Sequence, residues 1–234
     1  MRVWRNVLIV VVVLVGLFYV ADWAAVSVVQ GKAADRAQAS EGLDHKPKVS
    51  IDHFPSPFLT QVLFGKLKHV TVTADDINAA GGGQSVRIAT FSADLYGVKF
   101  SDGYKRAVAD HASGEAFVDY ADLSKAAPLH VTVSSASPAP DGTARVKLTA
   151  TVPGLGMKVS VLSRVKAQGN SISLHAESVP KELSALGLED SVRRQIDFAA
   201  HLEHLPSHIE LTKVTSTSEG ISVEAGGTDV ELAN

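Results

Sequence analysis

Cysteine is absent from all 234 residues. That excludes disulfide frameworks, thiolate zinc sites, iron–sulfur clusters and cysteine nucleophiles. Aromatic residues are scarce, at 6%. Basic residues form no stripe: 22 Lys and Arg stand against 25 Asp and Glu, for a net charge of -3. Nucleic-acid binding, which rests on clustered cations neutralising phosphates, is disfavoured. Hydrophobic residues make up 45% and charged residues 20%, so the chain can bury a core and wholesale disorder is excluded.

Catalytic signatures are equally sparse. There is no Gly-x-Ser-x-Gly elbow. Gly154-x-Gly156 lacks the third glycine of a dinucleotide loop and falls between strand patterns, so it reads as a hairpin turn. His201, His204 and His208 do not make the His-x-x-x-His pair of one helix face with an intervening Glu base, and Pro206 breaks the segment. They read as solvated surface histidines. Asp75, Asp76, Asp119 and Asp122 sit in turn or strand-end contexts and read as capping or solvated carboxylates. No catalytic residue, metal ligand or cofactor is expected.

What the chain does have is an apolar N-terminus. Residues 7–21 carry no charge, Asp22 interrupts, and Trp23 to Val29 continue the run weakly. The uncharged part matches a signal-peptide core in length, and residues 7–29 reach the roughly 20 needed to span a bilayer. Arg2 and Arg5 precede it, which fits a cytoplasmic N-terminus and export of the rest. Residues 1–29 are therefore expected to be a signal anchor or a cleaved signal peptide. Residues 30–48, polar and Ala-rich, are expected to form a short helix and linker, and 49–234 a single domain.

Most of that domain alternates with a period of two. Val146, Leu148, Ala150 and Val152 alternate with polar neighbours, as do Leu129, Val131 and Val133, then Ile172, Leu174 and Ala176, then Ile221, Val223 and Ala225. Such strands bury one sheet face and wet the other, the habit of antiparallel sheets. Turn signals separate them at Pro140-Asp141-Gly142, Pro153-Gly154, Gly169-Asn170 and Glu219-Gly220. The apolar phase slips between Ile88 and Phe91, where a bulge is expected.

Helical signals are few. Residues 57–66 begin with Ser56 as candidate N-cap and Pro57 at the first helical position, with Phe58, Leu59, Val62 and Leu63 on one face. Residues 188–199 offer a second helix, with Val192 and Ile196 a turn apart. Segments 104–110 and 120–127 offer short ones. The fold class is thus α+β and β-rich: a long curved antiparallel sheet wrapped around one or two helices, behind an N-terminal membrane helix. About eight to ten strands have more apolar face than these helices shield. A sheet of that kind can leave an elongated apolar channel, and beside a membrane the abundant ligand of that shape is an acyl chain, at about 0.8 kcal/mol per buried methylene.

Several stretches are similar to a known family. Phe54-Pro55-Ser56-Pro57-Phe58-Leu59-Thr60-Gln61-Val62-Leu63-Phe64-Gly65-Lys66 followed by Val70-Thr71-Val72-Thr73-Ala74, Asp94-Leu95-Tyr96-Gly97-Val98, Ala112-Ser113-Gly114-Glu115-Ala116, and the tail from Gly220 to Leu232 resemble the LmeA-like phospholipid-binding family of actinobacterial envelopes. The resemblance implies a tubular lipid-binding type of fold and a periplasmic binder of phospholipid, favouring anionic phosphoinositides and supporting lipomannan and lipoarabinomannan assembly. The expected apolar lipid contacts are Phe54, Phe58, Leu59, Val62, Leu63, Val192 and Ile196, with Lys66 and Lys68 meeting the headgroup as point charges. The second reading is a structural or chaperone-like partner of an envelope glycosyltransferase, docking through sheet edges. A lipid-modifying hydrolase is the third.

Overall fold

The computed structural model describes residues 2–81, 84–103, 105–127, 131–151, 158–178, 198–201 and 205–233. It opens with one continuous helix, α1 (Arg2–Glu41), long and apolar enough to cross a bilayer. The segment expected to hold a short helix and linker is helical through Glu41, so the connection to the first strand is short. Two further helices are described, α2 (Phe58–Leu63) and α3 (Tyr120–Ala126). In place of the expected helix at 104–110 the segment is strand from Arg106, because its Val108 and Ala109 pair with Lys99 and Val98 on one side and with Glu231 and Val230 on the other. The expected helix at 188–199 lies outside the described residues except for Phe198 and Ala199, which are in a strand.

Strands dominate, as the period-two patterning requires. Six form one antiparallel sheet in the order β1-β2-β3-β4-β11-β10, from β1 (Lys48–Ile51), β2 (Lys66–Gly81), β3 (Gln84–Ser101), β4 (Arg106–Asp119), β10 (Ile209–Ser216) and β11 (Gly220–Ala233). Five form a second, β5-β6-β7-β8-β9, from β5 (Thr132–Ser135), β6 (Arg145–Thr151), β7 (Lys158–Gln168), β8 (Ser171–Ser178) and β9 (Phe198–His201). The turn signals at Pro140-Asp141-Gly142 and Gly169-Asn170 fall between strands, Glu219-Gly220 leads into the first residue of β11, and Pro153-Gly154 lies outside the described residues.

The phase slip in β3 arises without a register shift, since β2–β3 pairing is continuous from Lys66↔Lys99 to Gly81↔Gln84. Left-handed backbone at Asp76 (φ 56) in the neighbouring strand lies beside it. Further along, Gly97 (φ 64) and Asp229 (φ 52) reverse the alternation again, burying Val98 and Val230. Only glycine suits position 97, because a Cβ there would also run into the Asp110 carboxylate.

Two apolar cores result. One joins Val26 of α1 and Phe58 of α2 to Ile51, Leu67, Val70, Val98, Ala109, Ala112 and Val230. The other joins Tyr120 of α3 to Val133, Val146, Leu148, Val165 and Ile221, bridging the two sheets.

Candidate functional site

The six-stranded sheet is amphipathic row by row. Paired residues share a face, and three successive apolar rows can be read from the register. They are Ala74–Phe91–Ala116–Val223–Val214, then Val49–Val72–Ala93–Gly114–Ala225–Leu211, then Ile51–Val70–Leu95–Ala112–Gly227–Ile209. The rows between them, Thr73–Ser92–Glu115–Glu224–Lys213 and Thr71–Asp94–Ser113–Gly226–Glu210, are polar and face the other way. That polar face carries an open depression of about 400 Å³ lined by Ser92, Asp94, Ser113, Glu115, Thr212 and Glu224, together with Gly114, Ala225 and Gly226.

The apolar face is covered at both ends and less so between them. At one end α1 and α2 lie on it through Val26 and Phe58. At the other, Val223 and Val214 meet α3 and the second sheet. Ala93, Gly114 and Ala225, at the middle of β3, β4 and β11, belong to neither core and are only half-buried, as are Phe91 and Ala116. Small side chains here form an apolar stretch between the two cores, a trough about 7 Å along the strands, from Phe91 to Ala93, and about 10 Å across the three of them. The sequence displayed the alternation but not which strands lie side by side, so this trough was not legible before the register was known.

The expected lipid contacts divide. Phe58 is 4% exposed and sits in the core, with Leu59 and Val62 packed beside it. Leu63 does not share that face and is 81% exposed. At 3.6 residues per turn Gln61 lies about 60° to one side of Phe58 and Leu63 about 140° to the other, and it is Gln61 that turns inward. Phe54 and Phe64, on either side of α2, are likewise exposed. Val192 and Ile196 lie outside the described residues.

Gln61 explains why α2 stays in place. Its buried amide donates to the carbonyls of Asp52 (2.7 Å) and Ser56 (2.8 Å) and accepts from the Lys68 backbone N–H (2.8 Å). The N-terminus of α2 is not capped by Ser56, since the cap position is Pro57 with no side-chain hydrogen bond. Instead Asp22 of α1, fully buried, accepts the Leu59 N–H at 2.7 Å. The residue that interrupts the apolar run is thus a cap delivered from another helix.

Lys66 and Lys99 straddle Asp110, at 2.7 and 2.6 Å. Hydrogen bonds from Lys66 and Lys99 hold the Asp110 carboxyl below the usual range. Lys66 is therefore neutralised locally, whereas Lys68 is exposed and makes no ion pair among the described residues. On the polar face His69 bridges two carboxylates, with Nδ1 2.9 Å from Asp52 and Nε2 2.9 Å from Asp94, and stacks on Tyr96. Burial pulls its pKa down, but the hydrogen bonds and charges of Asp52 and Asp94 outweigh this and raise it. Both ring nitrogens facing acceptors fits an imidazolium.

Of the three histidines weighed as metal ligands, His201 lies in β9, His204 falls outside the described residues, and His208 donates from Nδ1 to the Asp229 carbonyl at 2.9 Å. Among the described residues no group of three or more His, Asp or Glu side chains is arranged to hold a metal ion.

A family model described as LmeA-like phospholipid-binding matches residues 20–226. The chain belongs to this family. The match begins two residues before Asp22 and includes α2, the whole trough and α3. The LmeA-like family is one of lipid binders rather than enzymes. No curated protein and no solved structure matches the chain.

Proposed function

We propose that the protein is an exported, membrane-anchored phospholipid binder on the periplasmic side, which lays acyl chains along the trough of the six-stranded sheet and acts without catalysis. The observation that carries this reading is the trio Ala93, Gly114 and Ala225, half-buried and outside both cores, in the middle of an apolar face flanked by Val72, Leu95, Phe91 and Val223. At about 0.8 kcal/mol per methylene removed from water, six to eight methylenes give about 5–6 kcal/mol before any headgroup contact. An anionic phosphoinositide is the preferred headgroup in this reading, met by Lys68 with Lys66 beside it. The Asp110 carboxylate is the local competitor for Lys66. Lipid held this way would serve lipomannan and lipoarabinomannan assembly, with an envelope glycosyltransferase as the enzyme supplied.

The experiment is native mass spectrometry of the full chain released from phosphatidylinositol-containing membranes, compared with Ala93→Trp and Ala225→Trp. The wild type is expected to carry phospholipid, and each bulky variant to lose most of it while keeping its thermal transition. Folded wild type that carries no lipid after incubation with such membranes refutes the reading.

A further inference from the structure

We infer that the α2 end of the domain is immersed in the leaflet from which α1 emerges, so that a lipid chain reaches the trough from the bilayer without crossing water. This rests on the lipid-binding reading above for its purpose, though not for its geometry. Along α1, each large side chain from Ile9 to Val20 is exposed, between 41% and 66%. Packing against the domain begins only at Asp22 and Val26 and continues at Ala34. The outward face nevertheless stays apolar well past that point, with Trp23 at 66%, Val28 at 56% and Val29 at 39% exposure. The next charge after Asp22 is Lys32.

Helix rise converts this into depth. From Arg5 to Lys32 is about 40 Å, the thickness of a bilayer with its headgroup layers, whereas Asp22 is only about 25 Å from Arg5. The level at which α2 is pinned, by Asp22 to Leu59 and by Val26 to the core around Phe58, therefore lies about 15 Å short of Lys32, among acyl chains and glycerol. Asp22 tolerates that depth because its carboxylate is covered by α2 and hydrogen-bonded to it.

The surface that α2 presents there suits the environment. Phe54 (85%), Leu63 (81%) and Phe64 (79%) are the most exposed large hydrophobics of the described chain, and beyond α1 only Tyr96 joins them. Such a cluster is costly in water and favourable in a leaflet. Cations ring it: Lys66 and Lys99 share the one Asp110 carboxylate and keep one net positive charge between them, and exposed Lys105 and Arg106, the latter 3.7 Å from Asp102, sit on the β3–β4 hairpin, which is tied to the α2 loop by the Phe100 N–H donating to the Gly65 carbonyl at 3.0 Å. Long basic side chains reach outward to phosphates while their stems stay apolar.

The natural absence of cysteine makes the test direct. Nitroxide labels are placed on Leu63→Cys and Phe64→Cys, and on Ser218→Cys in the far β10–β11 turn, in the full chain reconstituted into phosphatidylglycerol–phosphatidylcholine vesicles. Collisions with oxygen and with a water-soluble nickel chelate report depth. Labels at 63 and 64 are expected to meet oxygen several-fold more, and nickel several-fold less, than the label at 218. Equal accessibility at all three positions, on protein that keeps its thermal transition, overturns the proposal. If lipid still co-purifies in that case, the immersion fails and the binding reading stands. Labels buried in the leaflet on a chain that carries no lipid support the immersion and sink the binding reading.

Discussion

Replacing Gln61 by leucine removes the fastening of α2 while keeping side-chain size. Three backbone groups lose their partner: the carbonyls of Asp52 and Ser56 and the N–H of Lys68. Each neutral hydrogen bond contributes about 1 kcal/mol net, and a buried group left unpaired costs about 1–3 kcal/mol. Asp52 and Lys68 are exposed and Ser56 half-buried, so the abandoned groups regain water in part and the loss stays near the low end of that range. The leucine methyls offset about 1 kcal/mol through added apolar burial. The net expected loss is about 2–3 kcal/mol, and at about 2–4 °C per kcal/mol for a domain of this size the midpoint falls by about 5–10 °C. Circular dichroism of the full chain in detergent micelles reads it. Gln61→Glu sharpens the test: its carboxylate can accept from Lys68 but faces two carbonyl oxygens with no proton to offer, so it should lose more than the leucine variant near neutrality. Acidification restores one donor and shrinks that deficit. A Gln61→Leu midpoint within about 1 °C of wild type, or a glutamate variant no worse than leucine, refutes the idea that this amide holds α2 to the sheet.

Gly97→Ala should destabilise by about 1–3 kcal/mol, because position 97 is left-handed and the new methyl meets Asp110; thermal unfolding measures it, and the shift should exceed that of Gly103→Ala, which has open space around it. His69 should make stability depend on pH. Its pKa is raised in the folded state, so the stabilisation is complete below the unfolded value of 6.5 and fades as pH rises through the higher folded value. Unfolding midpoints at pH 5.5 and 9 should separate more in the wild type than in His69→Gln, and identical pH slopes would contradict the Asp52–His69–Asp94 bridge. For the trough, Ala93→Trp and Ala225→Trp should abolish most lipid carriage with little change in midpoint, whereas Lys68→Glu should reduce binding of anionic lipid more than of zwitterionic lipid in vesicle-uptake measurements.

The β-rich class, the N-terminal helix and most strand positions were legible because a two-residue period survives in sequence wherever one face is buried, as in Val146 and Leu148 or Ile221 and Val223. The helix at α2 was legible through its own period, the four-residue spacing of Phe58 and Val62 on a buried face. What failed was information held between segments. Segment 104–110 has helix-tolerant residues, yet two partner strands claim its backbone groups. Leu63 looked inward until the glutamine two residues earlier took that place. Asp22 looked like a flaw in an apolar run, and its partner 37 residues on could not be guessed from spacing. The trough needed three strands, β3, β4 and β11, in register before Ala93, Gly114 and Ala225 came together.

The single hydrogen bond between a carboxylate in the rod and an amide in the body has a mechanical result. Asp22, Val26 and Ala34 are buried within an arc of about 120° of α1, so swivelling the body about its stalk would break these contacts. Wherever the rod drifts in the plane of the membrane, it carries the sheet at one constant azimuth and tilt, like a rudder keyed to its post. A loose tether would let the hydrophobic edge roll up into water between encounters; this joint keeps it facing down.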